Sequence, residues 1–390
     1  MHSRRAFVLV SAALLFWLLP ITRAFAAAEV ARTIQTVPGM PPVIDPNNVY
    51  SETRPQNLSP AVAKHLHRVY VPNRSSNDVW VIDPTSLKVI DKFKVGVHPQ
   101  HVVPSWDLKT LWVNNNAEGR NDGSVTPIDP TTGKPGKTIP VDDPYNMYFT
   151  PDGSAAIIVA EARKRLDFRH PQTMAMKYSI DTPNCPGINH ADFSIDGRYA
   201  IFTCEYGGAV AKIDLVERKV AGYLKLSKGG MPQDVRISPD GKLFYVADMK
   251  AEGVFVIDGD KLAEIGHIKT GLGTHGLYPS RNGAKLYVAN RGVARVYGPP
   301  KGKGTVSIID FASRTVTAMW EIPGGGSPDM GNVSIDGKQL WLSGRYDNEV
   351  YVFDTDTGAV KKIPVKTEPH GLTVWPQPGR YSLGHTGNLR

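Results

Sequence analysis

Four histidines stand at equivalent positions of a repeating sequence pattern, where their side chains could bind a metal or accept a proton. His101, His190, His275 and His370 each lie a few residues before a recurring turn. Neutral imidazole is a common ligand of transition metals and haem iron, and an imidazole that titrates near neutral pH can act as a general base. Other polar residues share these positions of the repeat. The candidate ligand-binding residues are His101, Asn146, His190, Asp234, His275, Asp329 and His370.

The repeating unit that positions these residues is a group of short strands around a Ser-Pro-Asp-Gly-like turn. Clear copies are residues 238–241 (SPDG) followed by 245–248 (YVAD), and residues 280–283 (SRNG) followed by 287–290 (YVAN). The turns are typical of hairpins, because glycine tolerates the positive φ that tight turns require. A third strand follows each hairpin and ends in an apolar residue and Asp, as at 257–258.

The third-strand ending can be counted separately from the turn, and both occur seven times. The ending stands at residues 82–83, 128–129, 180–181, 213–214, 257–258, 309–310 and 353–354. Four short strands in a repeat of about 45 residues are typical of a β-propeller blade. The high content of turn formers, with 37 Gly and 31 Pro, suits this architecture better than a helical bundle.

The repeats also predict how the ring closes. The pattern opens with a second-strand sequence near residue 67 and ends with a spare first-strand sequence at 369–375. We therefore predict an all-β chain with a single seven-bladed β-propeller of four-stranded blades over 65–390, closed by the C-terminal segment. Closure of this kind removes free sheet edges. Residues 27–64 match no repeat and are predicted to be an N-terminal extension.

In such a ring, the first strand of each blade lines the central channel, so the candidate residues should converge at one mouth. They could line a water-filled channel without any ligand, or they could bind a small polar ligand. They could also bind a divalent metal, with His190, His275 and His370 as ligands, or a haem. Opposite blades are expected to be too far apart for four protein ligands around one ion.

The first 26 residues have the layout of a signal peptide, with a basic start, an apolar run and an Ala-Phe-Ala cleavage motif at 24–26. The pair Arg4 and Arg5 also fits a twin-arginine signal, and an ordinary secretion signal is the alternative. No later run of 18 apolar residues follows, so we expect no membrane span after signal removal. The expected location is periplasmic or secreted.

Cysteine content and charge restrict the partners. Cys185 and Cys204 lie at opposite ends of a predicted hairpin, where an oxidising compartment would permit a disulfide; two buried thiols are the alternative. The net charge is +8, but the chain has no run of Lys and Arg of the kind that binds nucleic acid. A small ligand or a partner protein is expected, and a nucleic acid is not.

The strands at 245–248 and 287–290 resemble the YVTN-repeat family of β-propellers, and the resemblance extends over residues 65–390. It implies seven blades and an exported bacterial or archaeal protein. The wider superfamily includes haem-binding propellers related to nitrite reductase, quinoprotein amine dehydrogenase subunits and lactonases. This motif identifies a fold and not a reaction.

Three functions are compatible with the sequence. The first, which we favour, is a ligand- or protein-binding scaffold without turnover that uses one channel mouth and its long loops. The second is a metal- or haem-binding propeller with a redox-related role. The third is a metal-dependent hydrolase of the lactonase type.

Overall fold

The computed structural model describes His2, residues 33–385 and residues 387–390. The predicted signal peptide, residues 1–26, lies outside the described residues apart from His2. Residues 34–390 form one compact unit. Among the described residues, no helix is long and apolar enough to cross a membrane.

Seven antiparallel sheets form in the described part of the chain, one for each predicted blade. Blades 1 to 3 contain β1 (Arg68–Asn73), β2 (Asp78–Asp83) and β3 (Lys88–Lys94); β4 (Pro99–Pro104), β5 (Leu111–Asn115), β6 (Ser124–Asp129), β7 (Lys134–Pro135) and β8 (Ile139–Pro140); and β9 (Pro144–Phe149), β10 (Ala156–Ala160), β11 (Arg165–Arg169) and β12 (Met176–Asp181). Blades 4 and 5 contain β13 (Ile188–Phe193), β14 (Tyr199–Cys204), β15 (Ala209–Asp214) and β16 (Lys219–Lys225); and β17 (Pro232–Ile237), β18 (Leu243–Asp248), β19 (Gly253–Asp258) and β20 (Ala263–Lys269). Blades 6 and 7 contain β21 (Thr274–Pro279), β22 (Lys285–Asn290), β23 (Thr305–Asp310) and β24 (Thr315–Glu321); and β25 (Pro328–Val333), β26 (Gln339–Gly344), β27 (Glu349–Asp354) and β28 (Val360–Pro364).

The C-terminal segment closes the ring, as the sequence predicted. Strand β29 (Thr373–Trp375) supplies the inner strand of blade 1, and it pairs antiparallel with β1 through Arg68 opposite Trp375 and Tyr70 opposite Thr373. This strand is shorter than the predicted 369–375. In blade 2 the outermost position is shared by the short strands β7 and β8, which both pair with β6.

The recurring turn has a local chemical cause. At residues 238–241 the Ser238 hydroxyl oxygen accepts a hydrogen bond from the Leu243 amide at 2.9 Å, and Gly241 adopts φ +71°. Side chains that alternate along the strands then pack between blades; Phe244 and Val246 of blade 5, for example, join Ile201 of blade 4 in one buried cluster. Burial of each such side chain contributes about 1.5–3 kcal/mol.

Cys185 and Cys204 form a disulfide in the structure, with their Cα atoms 4.8 Å apart. The hairpin of β13 and β14 causes this approach, because Ile188 lies opposite Cys204 in the ladder and Cys185 precedes it by one short turn. The crosslink fixes the entry to blade 4.

Two segments outside the repeats cover one face of the propeller. The N-terminal extension runs over the turns of blades 4 and 5, where the amides of Val37 and Val49 donate to Asp196 and Pro239. After β29 the chain forms a C-terminal tail, residues 376–390, which enters the channel mouth on the same face. Its Leu383 carbonyl accepts a hydrogen bond from the Phe149 amide, and its His385 amide donates to Met147.

Candidate functional site

The inner strands place three tiers of side chains along the channel, because these strands begin at the same level. In blades 2 to 7 the second residue of each inner strand forms the first tier, which comprises Gln100, Tyr145, Asn189, Gln233, His275 and Asp329; His370, which precedes β29, takes the equivalent place in blade 1. The third residue forms the second tier, which comprises His101, Asn146, His190, Asp234, Gly276 and Met330; Gly371 takes the equivalent place in blade 1. The fifth residue forms a third tier, which includes Tyr148, Asp192, Arg236, Tyr278 and Asn332. The predicted ligand-binding residues occupy the first two tiers, and all of them are buried.

The structure brings the four predicted histidines together on the channel axis. The ring centroid of His101 lies 5.4 Å from that of His190 and 4.8 Å from that of His370. The His275 ring lies 6.3 Å from His190 and 6.1 Å from His370. These separations are shorter than expected for a water-filled propeller channel, so the imidazoles form a packed cluster.

A fifth histidine completes the cluster and comes from outside the repeats. The C-terminal tail inserts His385 between blades, with its ring 4.6 Å from His190 and 5.1 Å from His101. The Asn146 carboxamide nitrogen lies 2.9 Å from His385 Nδ1 and 3.1 Å from His190 Nδ1, so it can orient both rings. Alignment of the repeats could not find His385, because the tail matches no blade.

The histidines whose ligand atoms converge are not the set that the sequence suggested. In the described residues, ligand nitrogens of His101, His190 and His385 all lie within 4.8 Å of one another. We call these three residues the histidine centre. The sequence-based metal set was His190, His275 and His370, and the structure places only His190 of these in the centre.

Asp329 accounts for the difference, because its carboxylate engages the other two imidazoles. Its oxygens lie 2.6 Å from His370 Nδ1 and 2.9 Å from His275 Nδ1. Arg291 adds two charged contacts to the same carboxylate, at 2.8 Å from Nε and 2.7 Å from Nη2. His275 and His370 are therefore held by a buried acid and are less available to an ion.

Burial keeps the imidazoles of the histidine centre neutral. It lowers the pKa of His101 and His190 well below the usual value, and the neighbouring His385 lowers both further. The pKa of His385 is also well below its usual value, because of burial and then Arg236. Burial alone would raise the pKa of Asp329, but Arg291 and the adjacent histidines outweigh it and hold that carboxyl ionised. Neutral imidazole is the form that binds metals.

Several buried nitrogens of the cluster have no hydrogen-bond partner among the described residues. They are both ring nitrogens of His101, Nε2 of His190, Nε2 of His370, and Nδ1 of His275, which lies 2.9 Å from an Asp329 oxygen without hydrogen-bond geometry. An unsatisfied buried polar atom costs about 1–3 kcal/mol, so such atoms usually have a reason. The space for His101 depends on Gly371, since a Cβ there would overlap His101 Nδ1.

The tail closes the channel below the histidine centre, and charges there are well paired. The carboxylate of Asp192 accepts hydrogen bonds from Arg390 at 2.7 Å and Asn388 at 3.0 Å. It also accepts from the Ile237 amide at 2.9 Å, so it does not contact His190 as an orienting group. Asp234 accepts from Arg236 at 2.9 Å. We call this face the closed end.

The opposite face opens to solvent through a cavity, which we call the funnel. Its floor includes Tyr145 and His275, and its walls include Glu161, Glu205 and Arg345. The Tyr145 ring meets the rings of His101 and His190 edge to face, at 5.5 and 5.8 Å. Tyr145 thus separates the funnel from the histidine centre.

Basic residues cluster in two loops, at 163–170 and 291–303, and their surroundings in the structure differ. Arg163 and Arg165 pair with Asp142 at 3.1 Å, so that loop is locally neutralised. Arg291, at the start of the long blade 6 loop, turns into the funnel and contacts Asp329.

These features define a seven-bladed propeller with one closed channel end, one open funnel and a buried histidine centre between them. The chain belongs to the YNCE-like beta-propeller family, whose sequence model matches residues 25–378. That match confirms the expectation drawn from the repeats at the level of the family. Among curated proteins, none matches this chain.

Solved structures with the same fold have different activities. The periplasmic gluconolactonase PpgL of Pseudomonas aeruginosa is 17% identical, with a TM-score of 0.63 over 78% of this chain and 98% of that one. Hydrazine synthase of Kuenenia stuttgartiensis is 19% identical, with a TM-score of 0.58 over 72% and 91% of the two chains. The dihydro-heme d1 dehydrogenase NirN in complex with DHE is 14% identical, with a TM-score of 0.57 over 87% and 79%. At these identities the likeness shows the fold alone.

Proposed function

We propose that the protein is an exported propeller that binds one transition-metal ion inside its channel, at His101, His190 and His385. The observation that carries this proposal is the convergence of three buried imidazoles with ligand nitrogens within 4.8 Å. All three have lowered pKa values because of burial, so protons compete weakly with an ion at neutral pH.

The donor set limits the metal. Imidazole suits Zn²⁺, Cu²⁺ and Ni²⁺, whereas Mg²⁺ and Ca²⁺ prefer oxygen ligands. Ligands around an ion with metal–nitrogen distances of about 2.0–2.1 Å lie roughly 3.3 Å apart in a tetrahedral site. Binding would therefore draw the rings together by about 1 Å or a little more. Asn146, between His190 and His385, would hold two of the rings during that adjustment.

A haem fits these residues poorly. The ring of Tyr145 covers the histidine centre on the funnel side, and the tail that carries His385 covers it on the other side. A macrocycle could reach the ring nitrogens only by displacing one of the two. A single ion needs no such space, so we propose an ion and not a haem.

Three protein ligands leave at least one coordination position for water or a small ligand. A metal bound there would act as a Lewis acid or lower the pKa of a bound water. The chain's own residues decide access: the tail blocks the closed end, so ligands would enter through the funnel and pass Tyr145.

We also propose that the mature protein works in an oxidising compartment outside the cytoplasm. The signal-like layout of residues 1–26 supports this, and so does the disulfide between Cys185 and Cys204. N-terminal sequencing of the protein from its native host should begin near residue 27. A soluble protein that begins at Met1 would contradict export.

The metal proposal is tested by calorimetric titration of residues 27–390, stripped with EDTA, with Zn²⁺, Cu²⁺ and Ni²⁺ separately. We expect one ion per chain for at least one metal. His101→Gln and His385→Gln should each weaken binding by about a hundredfold or more, since each removes a ligand.

His275→Asn is the matched control, because His275 lies in the same cluster but is held by Asp329. It should leave the affinity within about threefold of the original. If no metal binds, or if His275→Asn abolishes binding while His385→Gln does not, the proposed centre is wrong.

A further inference from the structure

One position of the repeat places a charged rim around the funnel. It is the residue that directly follows the second strand of each blade. In blades 6, 7 and 1 this residue is basic: Arg291, Arg345 and Arg74. In blades 3 and 4 it is acidic: Glu161 and Glu205. Neutral residues stand in the two blades between these groups: Asn116 and Met249. The ring thus has an acidic side and a basic side facing each other across the axis.

The acidic side is poorly neutralised. Among the described residues, no donor or cation pairs with the side-chain carboxylate of Glu161, and Glu205 accepts a hydrogen bond from the neutral Asn189 amide at 2.9 Å. Burial raises the pKa of Glu161, and the charge of Glu205 raises it further. Burial likewise raises the pKa of Glu205 against the effect of its amide donors. A cation between these carboxylates would relieve both effects.

On the basic side, Arg345 is the arginine without a close carboxylate. Arg291 is engaged by Asp329, and Arg74 pairs with Glu118 and with Glu368 at 3.0 Å. Arg345 is buried, but its nearest carboxylate oxygen, on Asp329, is 3.9 Å away, and its Nε has no partner among the described residues. A guanidinium in this state can bind a carboxylate by donating two parallel hydrogen bonds to it.

A second unpartnered group points to a ligand in the same cavity. Gln100 is only 2% exposed and lines the funnel, and its Oε1 has no partner among the described residues. The funnel is open to solvent, and its walls bring Glu161, Glu205, Gln100 and Arg345 together.

We propose that the funnel is a binding site for a small zwitterion, with its ammonium group between Glu161 and Glu205 and its carboxylate on Arg345. Gln100 Oε1 would accept a further hydrogen bond from the ammonium group or from another donor of the ligand. This site goes beyond the proposed metal centre, since it uses different residues on the other side of Tyr145.

The experiment compares zwitterions with analogues that lack one charge. Glycine, β-alanine and γ-aminobutyrate are titrated into EDTA-treated protein, alongside the matching carboxylates and alkylamines. At least one zwitterion should bind about tenfold or more tightly than both of its analogues, because each charged hydrogen bond contributes separately.

Two variants test which side chain binds the ammonium group and which binds the carboxylate. Glu161→Gln should remove the advantage of the zwitterion over its carboxylate analogue, and Arg345→Gln should remove its advantage over the amine. Glu217→Gln and Arg314→Gln, on exposed loops of blades 4 and 6, are the matched controls and should change neither ratio. Thermal melts establish that each variant is folded.

The proposal is overturned if no zwitterion exceeds its analogues, or if the amines alone bind and Arg345→Gln has no effect. Because the titration contains EDTA and no metal, its outcome does not depend on the histidine centre. Conversely, failure of metal binding would leave the zwitterion site unaffected.

Discussion

Both ends of the channel carry charged side chains, but the described part of the chain neutralises these charges at only one end. At the closed end, Asp192 accepts four hydrogen bonds, two of them from the tail residues Asn388 and Arg390. At the open end, the side-chain carboxylate of Glu161 has no hydrogen-bond donor or ion-pair partner among the described residues, and Arg345 Nε is likewise without a partner. Asp192 belongs to blade 4, and Glu161 and Arg345 belong to blades 3 and 7 of the same ring.

This difference distinguishes charges that the fold itself pairs from charges that are left for a ligand. A buried charge costs free energy unless it is paired and hydrogen bonded. The tail removes that cost at the closed end and in doing so brings His385 to the histidine centre. No segment that the structure describes does the same at the funnel, where the cost is retained and a ligand could relieve it.

Removal of the closing segment should have the largest effect on this arrangement. Deletion of 368–390 takes away β29 and the tail, and β1 would lose its partner along Arg68–Tyr70. We expect no cooperative unfolding transition by circular dichroism. Deletion of 376–390 alone should leave a folded ring with a lower melting temperature and no metal binding. The two deletions therefore distinguish the effect of ring closure by β29 from that of the tail in the channel. A 368–390 deletion that melts like the full chain would contradict the closure.

Acid should destabilise the metal-free protein strongly, because the buried imidazoles resist protonation. His101, His190, His370 and His385 have pKa values well below the usual value, and burial lowers that of His275 to about 4. The unfolded chain binds these protons as the pH falls through about 6.5, whereas the folded chain does not, so stability is lost below that pH. Each imidazole contributes about 1.4 kcal/mol per pH unit.

Glu161 and Glu205 act in the opposite direction, since their raised pKa values favour the folded state as they take up protons. The five imidazoles outnumber them, so the net change is a loss of several kcal/mol between pH 7 and 5. Urea denaturation across this pH range measures the loss of stability. His190→Gln should reduce the slope of the unfolding free energy against pH by the equivalent of about one proton. Equal stability at pH 7 and pH 5 would show that the imidazoles are not buried and neutral.

The sequence could predict the blades and the tiers because their signals are local. The Ser-Pro-Asp-Gly-like turns and the strand endings set the register of each hairpin, and this register places His101 and His190 at one level. The sequence could not predict which histidines form the histidine centre, because this depends on which imidazoles the Asp329 carboxylate contacts across the channel. His385 could not be found either, because a plug at the end of the chain follows no repeat.

The charged rim could have been found from the sequence with a different alignment. The candidate residues named from the sequence precede the turn before the second strand, whereas Glu161, Glu205 and Arg345 follow that strand. The second-strand motif itself recurs seven times, so its next residue can be read directly in each blade.

The most direct test of the contrast between the two ends is a pair of isosteric substitutions, measured by urea denaturation at pH 7. Asp192→Asn leaves the buried Arg390 without its carboxylate and should lower the free energy of unfolding by about 3 kcal/mol. Glu161→Gln removes an uncompensated charge and should raise it by about 1 kcal/mol, with the exposed Glu217→Gln as control. Opposite signs are the predicted result. Destabilisation of similar size by both substitutions would show that the funnel charges serve the fold, and would contradict the account.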